Sequence, residues 1–176
     1  MGMERREALL GHLRRAAHPV TGTELASIFG VSRQVIVQDI AILRAAGAPI
    51  VATPQGYLFS PHVTTTHRAV LASKHTRDQT RDELYCLVDA GVRVVDVVVE
   101  HPLYGELRGL LMLSSRSDVD RFMAQLDASG AELLSSLTGG VHLHTIEAPS
   151  RDALENARTA MRQHGYLLEE PSAPSR

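Results

Sequence analysis

The segment that most constrains this chain is the run GVSRQVIVQDIAILRAAG, which begins at Gly30. This glycine can adopt the positive φ that ends a helix, and Ser32 is a residue type that caps the start of the next one. Ile36, Ile40 and Leu43 then recur at spacings of four and three, which places them on one face of a helix. The sequence therefore predicts two helices joined by a tight turn, with the second packed through its apolar face.

The opposite face of this second helix carries side chains suited to contacting DNA. Polar groups there can reach phosphates or base edges, and an apolar one can meet a thymine methyl group; the candidates are Ser32, Arg33, Gln34, Val37 and Gln38. Residues 1–60 carry six arginines against four acids, although the whole chain has a net charge of −2. An alternative interpretation is a packing or dimerisation module that binds protein instead of DNA.

The sequence before and after these two predicted helices indicates a small domain. Leucines within residues 3–16 recur at helical spacing, and Thr21 or Thr23 can cap a short helix after them. The stretch PIVATPQGYLF, downstream of the second helix, predicts two short strands around a Pro-Gln-Gly turn. The predicted order is therefore three helices followed by a hairpin.

The stretch from Glu24 to Phe59 resembles the winged helix-turn-helix of the biotin-repressor-like and DeoR-like regulators. This resemblance implies a DNA-binding domain over residues 1–60, with its recognition helix starting at Ser32. Val37 and Gln38 stand where that group often has an aromatic and a basic residue. The resemblance thus leaves the base preference open.

A second pattern of helices and strands follows a Pro-, Ser- and Thr-containing segment. We interpret residues 61–74 as a linker or the start of a second domain. The runs VRVVDVVVE, LRGLLMLS and VHLHTIEA predict strands, the first of them buried and either parallel or sandwiched, with helices before, between and after the three. We expect an α+β protein, with an α/β-layer domain over residues 75–170 and a disordered tail over residues 171–176.

Two histidines in the last predicted strand form a candidate metal site. His142 and His144 are two residues apart, so both imidazoles point to the same side of a strand, at a spacing that suits chelation. Their neighbours Val141, Leu143 and Ile146 are apolar, and burying imidazoles without a partner is unfavourable. The alternative is a solvent-facing strand edge.

His75 and Glu83 are candidates for the same chemistry, although their spacing leaves two interpretations open. On one continuous helix the eight-residue separation would put them about 12 Å apart, too far to share an ion. However, Thr80 and Glu83 form the capping-box pattern TRDE, which would start the helix at Thr80 and leave His75 in a loop. Glu83 would then have a structural role as a cap.

The loop EHPLYGELRG is a third candidate region. It combines an aromatic residue, an acid and a histidine between two predicted strands, and such loops often line pockets. Its candidate effector-binding residues are His101, Tyr104 and Glu106. The alternative is a simple connecting turn.

Together, HTRDQTRDEL, VVVEHPLYGEL and LTGGVHLHT resemble the 3H (three-histidine) domain of niacin-responsive repressors of NAD biosynthesis and niacin uptake genes. The resemblance implies a divalent transition metal held by His75, Glu83, His142 and His144, and it matches His101 to another family histidine. Nickel, zinc, cobalt and iron all suit such ligands, so the metal stays open. The implied effector is nicotinic acid.

These features favour a DNA-binding repressor over an enzyme. We expect a cytoplasmic homodimer with no membrane segment, because no apolar run approaches bilayer length, no secretory signal is visible and readers of this type bind paired half-sites. Two alternatives stay open. One is a regulator that senses the metal alone. The other is a metal-dependent hydrolase with Glu83 or Glu106 as the base.

Overall fold

The structure is a computed structural model that describes residues 2–60 and 66–169. These residues form two compact units, one on each side of the segment 61–65. The predicted tail over residues 171–176 and most of the threonine run lie outside the described residues. Each unit has its own hydrophobic core.

The first unit contains three helices and a hairpin, as the sequence predicts. Its elements are α1 (Gly2–Arg15), α2 (Gly22–Phe29), α3 (Arg33–Ala45), β1 (Ile50–Thr53) and β2 (Gly56–Phe59). Thr21 caps α2 in a reciprocal capping box with Glu24, and Ser32 caps α3. Gly30 ends α2 with a φ of 63°, which permits the tight turn between these two helices.

The hairpin of this unit is held against the chain before α2. Val20 and Tyr57 exchange two backbone hydrogen bonds of 2.8 Å each. At Gly56 the φ is 128°, and a Cβ atom there would lie 2.6 Å from the carbonyl oxygen of Val20. Only glycine fits this turn.

The second unit is an antiparallel sheet with helices on one face. Its elements are β3 (His67–Lys74), α4 (Thr80–Asp89), β4 (Arg93–His101), β5 (Gly105–Leu113), α5 (Arg116–Ser129), β6 (Val141–Ala148) and α6 (Arg151–Gln163), with short 3₁₀ turns at Arg77–Gln79 and Leu134–Thr138. The strand order is β3-β6-β4-β5, and every pairing is antiparallel. The expectation of a parallel strand is therefore wrong for β4, whereas its expected burial is confirmed, because most of its residues are buried. The sequence analysis does not predict β3.

The core of the second unit lies between the sheet and its helices. Leu71 of β3, Ile146 of β6 and Val94 of β4 are buried against apolar residues of α4, α5 and α6. Alternate residues of the same strands point to the other side, which we call the open face of the sheet. The period of two in β6 therefore separates His142 and His144, on the helix side, from Leu143 on the open face.

Within the described residues, no single helix is long and apolar enough to cross a membrane. Only α2 and α3 taken together reach that length and hydropathy, and they meet at a bend of 102°. Both helices contribute to the core of the first unit.

Candidate metal centre

Four side chains from distant parts of the second unit meet between the sheet and α4. His142 and His144 project from β6, which is flanked by β3 and β4. His75 directly follows the last residue of β3, and Glu83 lies in the first turn of α4. All four are buried.

The Glu83 carboxylate lies at the centre of this group. Its Oε2 is 2.5 Å from Nε2 of His75, and its Oε1 is 3.1 Å from Nε2 of His142. Nε2 of His144 is 3.4 Å from the same carboxylate. Ligand atoms of His75, Glu83 and His142 all lie within 4.8 Å of one another, which is close enough to surround one ion.

The second ring nitrogen of each histidine faces a backbone carbonyl. Nδ1 lies 2.7 Å from the Thr76 oxygen in His75, 2.8 Å from the Gly140 oxygen in His142, and 2.7 Å from the Asp96 oxygen in His144. A carbonyl oxygen only accepts hydrogen bonds, so each Nδ1 must carry the proton. In the neutral rings, each Nε2 therefore turns a lone pair toward the carboxylate.

This arrangement fits a bound cation. Without one, each Nε2 would have to be protonated to meet the carboxylate, which would place three imidazolium groups around one acid in a buried site. A divalent cation instead accepts the lone pairs of three neutral imidazoles and one carboxylate oxygen. Backbone carbonyls that hold Nδ1–H are the usual outer partners of metal-binding histidines.

In the metal-free site, burial and the neighbouring charges shift the pKa values of these groups in opposite directions. Burial lowers the pKa of His75 and of His144, but Glu83 and the backbone carbonyl that faces each Nδ1 together raise it, so each pKa lies above its ordinary value of 6.5. Burial raises the pKa of Glu83, but the three histidines together hold it well below its ordinary value of 4.5. Without a metal, these shifts favour protonated His75 and His144 beside an ionised Glu83 carboxylate.

The free space beside the four side chains is small and mostly apolar. A cavity of about 30 Å³ adjoins them, with apolar walls from Val97, Leu111, Phe122, Leu133 and Leu134. This volume is close to that of one water molecule. A second cavity, of about 220 Å³, shares His75, Leu133 and Ser135 with the first.

In the first unit, the predicted DNA-reading face of α3 is accessible. Arg33, Gln34 and Gln38 are exposed and Val37 is half-buried, while Ser32 caps the helix by accepting a 3.3 Å hydrogen bond from Val35. The opposite face packs inward through Ile36 and Ile40. The buried Asp39 is neutralised by Arg5, whose Nε donates to its Oδ2 at 2.6 Å, and also by Arg6.

Family comparisons match both units. A model for the HTH domain matches residues 5–58, and one for the 3H domain matches residues 68–170. The chain belongs to the 3H family of helix-turn-helix proteins. A probable transcription repressor NiaR from Thermotoga maritima is 46% identical over 167 residues, which is 95% of each chain. The transcription repressor NadR from Bacillus subtilis is 41% identical over 173 residues, or 97% of this chain and 96% of its own.

Two structural alternatives for the predicted ligands fail in this 3H-family protein. Thr80 is the first residue of α4 rather than its cap, its hydroxyl has no hydrogen-bond partner, and Glu83 points to the histidines, so the capping interpretation is wrong. The capping box of this region forms instead between Thr76 and Gln79. The strand-edge interpretation of the histidine pair is also wrong, because β6 lies between two other strands.

Two residues that the sequence analysis misses support the 3H-family site. The Ser73 hydroxyl lies 2.6 Å from Oε1 of Glu83, beside His142 in the β3–β6 register. Asp96 provides the carbonyl that accepts from His144, and its carboxylate accepts a 3.0 Å hydrogen bond from the Thr145 amide. Ser73 shares the strand period of Leu71, so recognising β3 would have revealed it.

The structure does not bring the predicted effector residues to the four-residue site. Val97 is paired with His144, and His101 lies four residues further along β4, about 13 Å away. Its Nδ1 accepts hydrogen bonds from the amides of Leu103 and Tyr104, at 3.1 and 3.3 Å, in the β4–β5 turn. Tyr104 and Glu106 are exposed, so in this structure these residues form a hairpin tip.

Proposed function

We propose that this protein is a DNA-binding transcription repressor of NAD biosynthesis or niacin uptake genes, which senses nicotinic acid through a metal in its second unit. Two full-length relatives are named transcription repressors, which supports the repressor class. The accessible polar face of α3 supports DNA binding. The resemblance of the second unit to niacin-responsive repressors supports the effector.

One observation carries the proposal that the site binds a metal. Each of the three imidazoles faces a hydrogen-bond acceptor at both ring nitrogens, a backbone carbonyl at Nδ1 and the Glu83 carboxylate at Nε2. The residues that would hold the ion are His75, Glu83 and His142, whose ligand atoms already lie within 4.8 Å of one another, with His144 as the fourth ligand, 3.4 Å from the Glu83 carboxylate. Nickel, zinc, cobalt and iron(II) all accept such ligands. A bound ion would supply a Lewis-acidic position for the carboxylate or ring nitrogen of nicotinic acid. The backbone carbonyls of Thr76, Gly140 and Asp96 would keep the three rings oriented with Nε2 toward the ion.

Nicotinic acid does not fit the free space of this conformation. The 30 Å³ cavity holds about one water, whereas the adjoining 220 Å³ cavity is large enough for an aromatic ring. Leu133 and Ser135 border both, so movement of the segment that contains them would join the two spaces. We therefore propose that effector binding displaces this segment.

A second candidate function is a regulator that responds to the metal alone. The small size of the cavity beside the four side chains favours it, because an ion needs no further space. The hydrolase alternative gains no support of this kind, since Glu83 is engaged by three histidines and Glu106 is on an exposed strand end. A turnover assay on nicotinamide tests it directly.

DNA-binding measurements on the full chain separate these functions. Metal-free protein, prepared with a chelator, is titrated onto DNA from upstream of NAD biosynthesis or niacin uptake genes with metal, nicotinic acid, both or neither. We expect nicotinic acid to change the affinity about 5- to 150-fold, and only when metal is present. A response to metal that is the same with or without nicotinic acid would establish the second candidate. Benzoic acid, which lacks the ring nitrogen, is the matched control ligand.

A further inference from the structure

The Thr80 hydroxyl is buried and has no hydrogen-bond partner. Among the described residues of the second unit, its Oγ1 is the one buried side-chain oxygen or nitrogen in this state. The residue as a whole is only 5% exposed. Burying a hydroxyl in this way is unfavourable, because it loses its hydrogen bonds to water and gains none. A buried group of this kind points to a partner from outside the chain.

Thr80 lies next to the candidate metal centre. It is three residues before Glu83 in α4, a spacing that places both side chains on the same face of the helix. Both line the cavity of about 30 Å³, together with His75, His142 and His144. A cavity of this volume holds about one water molecule, which needs at least two polar partners. The Thr80 hydroxyl and an ion held by the four ligands would provide them.

We propose that the Thr80 hydroxyl donates a hydrogen bond to a carboxylate oxygen of the effector, whose carboxylate end therefore faces the ion. In the absence of the effector, a water molecule occupies the same position. This inference rests on the proposed function, because it concerns how the metal and nicotinic acid meet. The two ends of nicotinic acid then have different roles, with the ring nitrogen directed away from the ion.

The number of lone pairs distinguishes the two ends of the effector. A carboxylate has two oxygens, so one can bind the ion while the other accepts a hydrogen bond from Thr80. The ring nitrogen of a pyridine has a single lone pair, which an ion would occupy completely. A ring nitrogen bound to the ion would therefore leave the Thr80 hydroxyl without an acceptor.

The charge of the site also favours an anionic ligand. When the three imidazoles are neutral, Glu83 balances one charge of a divalent ion, and one positive charge remains. The buried Asp96 does not balance it, because its Oδ2 already lies 3.6 Å from Nε of Arg108. An unbalanced charge is unfavourable in a buried site, and the nicotinate anion removes it. The neutral nicotinamide would leave it in place.

The rest of the cavity suits the aromatic ring. Apart from Thr80, Ser135 and the four candidate ligands, its walls are apolar side chains such as Leu111, Phe122 and Leu134. Ligand pockets typically combine apolar walls with a few polar groups that fix the orientation of the ligand. The carboxylate would thus meet the polar part of the site, and the ring would meet the apolar part.

Ligand binding to the Co²⁺ form of the full chain tests which end of the effector faces the ion. Isothermal titration calorimetry measures the Kd of each ligand, and the visible absorption of Co²⁺ shows whether the ligand joins the ion. 3-Methylpyridine is the matched probe, because it keeps the ring nitrogen and lacks the carboxylate. We expect nicotinate to bind at least about tenfold more tightly than 3-methylpyridine or nicotinamide. Equal binding of nicotinate and 3-methylpyridine would overturn the proposal.

Thr80→Val tests the hydroxyl, because it removes this group and keeps the shape of the side chain. We expect the Kd of nicotinate to rise about tenfold, since a hydrogen bond to a charged group is lost. The Kd of Co²⁺ and that of 3-methylpyridine should not change. Thr80→Ser, which keeps a hydroxyl, should bind nicotinate within about threefold of the natural chain. The control is Thr159→Val, which removes an exposed hydroxyl from α6.

Thermal unfolding without metal or effector separates a ligand-binding role from a structural one. Because the hydroxyl has no partner in the described chain, Thr80→Val should not lower the Tm of the metal-free protein. A fall of more than about 3 °C would show that the hydroxyl stabilises the fold, which contradicts the proposal.

The outcomes also separate this inference from the proposed function. A Thr80→Val protein that binds nicotinate as tightly as the natural chain would overturn the role of Thr80 and leave the proposed function standing. A natural chain that binds no nicotinate in the presence of the metal would overturn both.

Discussion

At the scale of single residues, the candidate centre depends on groups that hold its ligands in place. Ser73 is fully buried, and its hydroxyl lies 2.6 Å from the Glu83 carboxylate. A carboxylate that binds a metal through one oxygen needs a partner for the other, and such outer partners typically contribute 10- to 100-fold to metal affinity. Among the described residues of the site, Ser73 provides the one side chain other than the histidines that lies within hydrogen-bond distance of the Glu83 carboxylate.

We expect Ser73→Ala to weaken binding of Zn²⁺ or Ni²⁺ by about 10- to 100-fold, because Glu83 loses this partner. Competition with a chromophoric chelator measures the Kd. Ser129→Ala, which removes an exposed hydroxyl that donates to the Leu126 carbonyl at 3.1 Å, is the matched control. An affinity equal to that of the control would show that Ser73 does not position the carboxylate for a metal.

The shifted pKa values predict opposite pH preferences for the apoprotein and the metal complex. His75 and His144 have raised pKa values, so their contribution to stability is complete below pH 6.5 and is lost as the pH rises through those values. Glu83 has a lowered pKa, so its contribution is present above pH 4.5 and is lost only well below it. Metal binding instead requires deprotonated imidazoles.

We therefore expect the Tm increase on adding saturating Zn²⁺ or Ni²⁺ to be small at about pH 5.5 and several degrees larger at about pH 8. Thermal unfolding with and without the metal measures this difference. A variant with His142→Ala and His144→Ala should show little metal effect at either pH. An increase that is independent of pH in the natural chain would mean that the metal does not displace protons from these rings.

At the scale of elements, the β1–β2 turn shows how one backbone position limits the sequence. Gly56 combines a φ of 128° with a Cβ position 2.6 Å from backbone, whereas Gly47 has a φ of 91° and open space around it. We expect Gly56→Ala to destabilise the first unit by about 3 kcal/mol and Gly47→Ala by about 1 kcal/mol, because only the first adds a clash to the strain. Urea unfolding measures both, and equal losses would contradict the close approach.

The exposed face of α3 leads to a prediction about the affinity of the chain for DNA. Arg33→Ala should weaken binding to upstream DNA by about 1–3 kcal/mol, because this side chain can reach a base edge or a phosphate. Arg44→Ala removes an equally exposed charge from the last turn of the same helix and is the control. Fluorescence anisotropy at fixed salt measures both. Equal affinities for the two variants would mean that α3 does not read DNA through its first turn.

The elements that the sequence predicts are those with local signals. α3 has a cap and a regular apolar face, and the period of two in β6 correctly puts His142 and His144 on one side of a strand. β3 has no such signal, because its partner strand lies 67 to 81 residues away and exposed polar residues such as Arg68 occupy its open side. Asp96 holds the His144 ring through its backbone carbonyl. Any residue type could provide that carbonyl, so the sequence alone does not reveal this contact.

At the scale of the whole molecule, the described chain consists of two units with separate cores. The core of the first is built on Leu9, Leu25 and Ile36, and that of the second on Leu71, Leu87 and Ile146. Cooperative unfolding requires a shared core or a large interface, so separate cores favour two transitions. The four candidate ligands all belong to the second unit.

Metal removal should therefore shift only one of two calorimetric transitions. At a free metal concentration of 100 times the Kd, binding stabilises the second unit by about 2.7 kcal/mol, which corresponds to roughly 10 °C for about 100 residues. A chelator should lower that transition by this amount and leave the other in place. Gly56→Ala should have the complementary effect, because its clash lies in the first unit. If chelation lowered both transitions equally, the units would unfold as one, and the metal would stabilise the DNA-reading helices directly.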